Sequence, residues 1–164
     1  MQITLKNISY NSRLSEETSC FTATVYVDGN MAGSASNRGH GGPTSVTPRE
    51  LESKINAYGK TLPEIVTRHM LPREEEPFTY QQTAETIIND LLSNHLTLRE
   101  MKRALKSKVL FTKADGKIYE TKNLDPKNID ALGNDPAKTA EKLQAVKILN
   151  FLPESEALEI YSAP

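Results

Sequence analysis

Phe21-Thr22-Ala23-Thr24-Val25-Tyr26-Val27-Asp28-Gly29-Asn30-Met31-Ala32-Gly33-Ser34-Ala35 is the stretch that decides the fold. From Phe21 to Val27 the side chains alternate. Phe21, Ala23, Val25 and Val27 fall on one face, and Thr22, Thr24 and Tyr26 on the other. A period of two is that of a half-buried β-strand. Asp28-Gly29-Asn30 then predicts a tight reversal, because Gly and Asn accept positive φ. Residues 31–35 return as the next strand. Upstream, Ile3, Leu5 and Ile8 against Gln2, Thr4 and Lys6 predict a strand over 2–10, and the polar residues 11–19 read as a loop. Residues 2–36 therefore predict a three-stranded antiparallel meander.

Helices are expected downstream. Thr47-Pro48-Arg49-Glu50 combines an N-cap, a first-turn proline and a capping-box glutamate. Leu51, Ile55 and Tyr58 follow at helical spacing, and Gly59 closes the helix. Residues 60–77 carry Pro63, Pro72, Pro77 and the acidic run Glu74-Glu75-Glu76, and allow a short helix over 65–70. Thr79-Tyr80-Gln81-Gln82 opens a longer helix with the apolar stripe Ala84, Ile87, Ile88, Leu91 and Leu92. Thr97-Leu98-Arg99-Glu100 reads as another capping box, so a separate helix is expected after His95, with Leu98, Met101 and Leu105 inward. Residues 109–112 and 117–121 flank Asp115-Gly116 as a second hairpin. Residues 123–135 read as a loop. Asp135-Pro136 starts a helix through Leu143 to about Ile148, and Pro153 starts a final turn over 156–160. Strands and helices segregated along the chain predict an α+β fold. The expected form is one domain over 1–164: meander and glycine loop (1–46), helical segment (47–107), then hairpin and C-terminal helices (108–164). Three to five helices pack with the antiparallel sheet.

Composition narrows the functional classes. The formal charge is −1 and the apolar share is 37%, with no Trp, so the core is modest and any attraction for anions is local. Cys20 is the sole cysteine, which precludes an internal disulfide and argues against a thiolate metal site. It reads as a small apolar strand residue. No apolar run approaches the roughly 20 residues of a membrane span, and residues 1–6 lack a signal-peptide core. A cytoplasmic protein without a membrane partner is expected.

The chemistry concentrates in Ser36-Asn37-Arg38-Gly39-His40-Gly41-Gly42-Pro43. Three glycines let backbone N–H groups approach a ligand, and Arg38 and His40 add donors suited to phosphate or carboxylate. The spacing is neither a dinucleotide fingerprint nor a P-loop. The bland alternative is a tight crossing between sheet and helix. His69 and His95 lack metal-ligand spacing, so no metal and no cofactor are expected. Arg99, Lys102, Arg103 and Lys106, with Lys108 beyond, form a basic stripe, which is either a phosphate-binding patch or an ordinary solvated helix face. No aromatic interleaves it for base stacking, which counts against nucleic acid. Glu74 to Glu76 reads as solvated loop.

The block from Phe21 to Gly29, with Gly33-Ser34-Ala35-Ser36-Asn37-Arg38-Gly39-His40-Gly41-Gly42, resembles that of a group of small bacterial, prophage and phage proteins. Those share an ATVYVDG block followed by ASN, glycine and GG. They also show equivalents of Thr61-Leu62-Pro63, Val109-Leu110-Phe111 and Ile148-Leu149-Asn150. Many carry Cys after the double glycine where this chain has Pro43-Thr44, so no thiol role transfers. The resemblance implies a setting, mobile elements and phage, rather than an activity.

Four functional expectations follow, in order. The first is a phage-type protein that captures a small phosphorylated ligand, such as a nucleotide signal of host defence. Asn37, Arg38, Gly39, His40, Gly41 and Gly42 would hold phosphate and Tyr26 would stack on a base. A homo-oligomer is expected, since small folds often build pockets between subunits. The second is an interaction module that inhibits or adapts a host enzyme. Weak nucleic-acid binding through Arg99, Lys102, Arg103 and Lys106 is third. Enzymatic hydrolysis is last, for want of a metal or nucleophile.

Overall fold

The computed structural model describes residues 1–66 and 78–162. The chain is α+β and divides into two compact units, Met1–Ser93 and Asn94–Pro164.

In the first unit, β1 (Ile3–Tyr10), β2 (Phe21–Val27), β3 (Asn30–Asn37) and β4 (Ser45–Thr47) form one antiparallel sheet in sequence order. The expected meander is present, and β4 extends it by a strand that its single apolar residue, Val46, does not advertise. The buried face carries Ile3, Phe21, Ala23, Val25, Val27, Ala35 and Val46. The reversal falls at Asp28 and Gly29, with φ of 49° and 84°.

Ile8 breaks the alternation begun by Ile3 and Leu5. Lys6 pairs with Thr24 and Ser9 with Thr22, so β1 spends one residue more than β2, and Asn7 sits at φ 52°. This bulge returns Ile8 and Tyr10 to the face of Ile3 and Leu5. A second irregularity lies opposite Val25–Tyr26 in β3. Gly33 follows it, and a Cβ there would strike the Thr47 carbonyl oxygen and crowd Leu51.

Helix α1 (Arg49–Gly59) buries Leu51 and Ile55 and ends at Gly59 as expected. The expected Thr47 cap does not form. Thr47 is committed to β4 opposite Ser34, and Pro48 occupies the N-cap position without a side-chain bond. Strands β5 (Ile65–Val66) and β6 (Thr79–Tyr80) pair antiparallel. This replaces the start of the expected 65–70 helix and moves the next helix beyond Thr79. The remainder of that segment, with His69 and Glu74 to Glu76, lies outside the described residues.

Helix α2 (Ala84–Leu105) has 22 residues, of which 84–93 belong to the first unit and 94–105 to the second. Thr83 and Thr86 cap it reciprocally, Thr86 Oγ1 accepting from Thr83 N at 2.8 Å and Thr83 Oγ1 from Thr86 N at 3.3 Å. The expected break near His95 is absent. No Gly or Pro interrupts 84–105, and each added residue gains a backbone bond that a mid-helix cap would forfeit. Ala84, Ile87, Ile88 and Leu92 are buried.

In the second unit, β7 (Leu110–Thr112) lies between β8 (Ile118–Glu120) and β9 (Lys147–Ile148), both antiparallel to it. Gly116 at φ 75° turns the expected hairpin. Residues 123–135 are not all loop: α3 (Pro126–Gly133) starts there, with Asp125 accepting from Lys127 N. Asp135 caps α4 (Pro136–Leu143) through Lys138 N. That helix stops short of Ile148, because Gln144 turns left-handed and the chain enters β9. Helix α5 (Glu154–Ser162) exceeds the expected turn.

Two apolar clusters fill this unit. Met101, Leu110, Leu149 and Ala157 make one, and Val109, Phe111, Ile129 and Ile148 the other. Asn150 fixes the passage from α2 to β7: its Oδ1 accepts from Leu110 N, and its Nδ2 donates to the Leu105 and Lys108 carbonyls.

Candidate functional site

The glycine loop leaves β3 at Asn37, whose side chain is buried and directs the loop. Asn37 Oδ1 accepts from Gly39 N at 2.8 Å and from Thr18 Oγ1 at 2.9 Å. Its Nδ2 donates to the Gly42 carbonyl at 2.8 Å and to Thr44 Oγ1 at 3.3 Å. The Gly39 carbonyl accepts from the N–H groups of Glu16, Glu17 and Thr18. Gly41 N donates to Thr18 Oγ1 at 3.4 Å. Gly39 and Gly41 stand at φ 89° and 81°, where a Cβ would meet the Leu14 carbonyl and the Glu17 carboxylate. The glycines thus serve a close crossing between residues 14–18 and 37–42. Beyond the loop, Thr44 N donates to Glu85 Oε1 and Thr44 Oγ1 to Asn89 Oδ1, both at 2.8 Å, which anchors the loop to α2.

This wiring leaves a particular outer surface. Arg38, His40, Gly41 and Gly42 are exposed. Arg38 forms no ion pair among the described residues. His40 Nδ1 lies 3.2 Å from Glu16 Oε2, with both side chains more than half exposed. The outer surface is of mixed sign, since Glu16 and Glu17 flank the cations. The N–H groups of Gly39 and Gly41 are spent inside the crossing. Tyr26 is not brought to the loop. It pairs with Met31 near the opposite end of β2 from the Phe21–Asn37 pair, and Lys6 Nζ lies 4.2 Å from the centre of its ring.

The basic stripe is assembled more coherently. His95, Arg99, Lys102 and Arg103 recur at helical spacing and fall within about 100° of the α2 circumference, and Lys106 follows in the turn just after the helix. With Leu98 they line a surface groove of about 380 Å³. Lys102 is neutralised in part by Glu154, with Nζ 2.6 Å from the carboxylate. Arg99, Arg103 and Lys106 have no ion-pair partner among the described residues. Lys108 is outside the groove and pairs with Glu120 at 2.6 Å. Lys102 and Arg103 also lie in the last turn of α2, where cations oppose the negative end of the helix dipole. A helix break after His95 would set it apart from the stripe. On one continuous helix it is its first member.

Among the described residues no group of three or more His, Cys, Asp or Glu side chains is placed to hold a metal ion, and no helix is long and apolar enough to cross a membrane. No family model, curated protein or solved structure matches the chain.

Proposed function

We propose that this chain is a binding protein for a small phosphate-bearing ligand, and that the basic face at the C-terminal end of α2 holds the phosphates. The observation that carries the proposal is the groove lined by His95, Arg99, Lys102, Arg103 and Lys106, three of whose cations are unpaired among the described residues. Unpaired arginines one helical turn apart suit bidentate contact with phosphate oxygens. Each such charge-assisted contact contributes about 1.5–3 kcal/mol. Leu98 gives an apolar surface beside the cations on which a base or sugar can rest. In the phage setting that the resemblance implies, the ligand class is a nucleotide signal of the host, met in the cytoplasm. A second copy of the chain would close a groove that one copy leaves at the surface.

Calorimetric titration with tripolyphosphate, ATP and a short DNA duplex tests this. The small phosphates should bind saturably. Arg99→Ala and Arg103→Ala should each lower affinity roughly tenfold to a hundredfold. Affinity for tripolyphosphate unchanged in both variants would overturn the proposal.

A second reading attaches to the glycine loop. Its backbone is fixed by Asn37 and it presents Arg38 and His40 beside Glu16 and Glu17. A fixed surface of mixed sign suits a protein partner, such as a host enzyme to be inhibited or adapted, better than a free anion. Retention of the full chain by a host protein in wild type, and its loss in Arg38→Glu, would favour this reading.

A further inference from the structure

The second unit contains a cavity of about 410 Å³ bordered by α3, α4 and residues 121–124, which neither the basic face nor the glycine loop uses. Its wall is apolar: Leu124, Ala131, Leu132 and Leu143 line it. Leu124, Leu132 and Leu143 also pack on the cluster of Val109, Phe111, Ile129 and Ile148, yet they remain only partly buried. An occupant would therefore complete a core layer that the protein leaves half covered.

The polar groups of the lining divide into two kinds. Thr139 Oγ1 donates to the Leu132 carbonyl at 2.9 Å, and Thr121 Oγ1 accepts from Val109 N at 3.0 Å. Both serve the fold. The Asn128 amide and the Lys142 ammonium are exposed, and neither forms a side-chain hydrogen bond or ion pair among the described residues. One cation and one amide thus line an apolar cleft, open to solvent on one side, of a size usual for ligand sites. A single ammonium balances one negative charge. A phosphate dianion would leave charge unpaired beside leucines, which is costly.

We propose that this cavity binds a small monocarboxylate with an apolar body. The carboxylate would lie at Lys142 and Asn128, and the hydrocarbon against Leu124, Leu132 and Leu143.

The test is titration of the full chain with octanoate, with octylamine as the counterpart of opposite charge. Octanoate should bind saturably at one site and at least tenfold more tightly than octylamine. Lys142→Glu, a change at an exposed position, should reverse that order. Ala131→Trp should fill the cleft and abolish binding of both. The paired change Arg99→Ala and Arg103→Ala should leave octanoate binding intact, which separates this cavity from the basic face. Equal affinity for octanoate and octylamine, octanoate binding indifferent to Lys142→Glu, or no saturable binding would each overturn the proposal. If Ala131→Trp fails to fold, Lys142→Glu still decides it.

Discussion

Asn37 acts as the template of its loop, because one amide satisfies Gly39 N, the Gly42 carbonyl, Thr18 and Thr44 together. Removing it leaves the buried Gly39 N–H without its acceptor, at about 1–3 kcal/mol, whereas Thr18 and Thr44 keep Gly41 N and Asn89 as partners. Asn37→Ala should therefore lower the urea midpoint by an amount corresponding to that range. Arg38→Ala, at an exposed position next to it, should change stability by less than about 0.5 kcal/mol. Equal losses in the two variants would mean that the loop is not organised by Asn37. Positive φ is expected of the turn and loop glycines; Gly29, Gly39, Gly41 and Gly116 adopt it and Gly42 does not. What they are for was not legible. A Gly-rich loop that cradles an anion and one that crosses another segment share the same residues. The difference lies in residues 14–18, which sequence places more than twenty positions away from Gly39 and which carry no motif.

At the scale of elements, strong alternation and turn chemistry were readable, and short or weakly patterned segments were not. β2 and both hairpin turns follow from local sequence. β4 has one inward residue and α3 buries only Ile129, so neither produces a periodic signal. Helix α2 shows the opposite error, a capping box at Thr97 that context overrides. Its true start is the Thr83–Thr86 pair. Thr83→Ala should cost about 1 kcal/mol in denaturant titration, whereas Thr97→Ala should cost no N-cap energy. The β7–β8 turn offers a test in pH. The Tyr119 hydroxyl donates to Asp115 Oδ2 at 2.7 Å. That bond, then the Lys117 N–H, holds the Asp115 carboxyl below its ordinary value. A lowered folded-state pKa stabilises above the unfolded value, and the contribution is lost as pH falls through the folded one. Carboxyl titration followed by NMR should place Asp115 below the usual aspartate midpoint, and Tyr119→Phe should move it upward. No movement would show that the hydrogen bond does not form.

For the whole molecule, a net charge of −1 means that anion binding must be local and easily screened. The basic face has few aligned cations and no neighbouring aromatic among its lining residues. Duplex DNA should therefore bind weakly, with an affinity that falls steeply with salt according to the few counterions released. Sub-micromolar duplex binding at physiological salt would shift the account toward nucleic acid. The α+β class was readable from the order of strand-like and helical patterns. The division into two compact units was not, because the boundary falls inside α2, where no linker composition marks it. Helix α2 is also where the functional proposal stands, and amide chemical-shift mapping of the ¹⁵N-labelled full chain tests it most directly. On addition of tripolyphosphate, the predicted result is saturable perturbation centred on His95, Arg99, Arg103 and Lys106, lost in the Arg99→Ala, Arg103→Ala double variant. Perturbation centred instead on residues 37–43, or none at millimolar ligand, would contradict it.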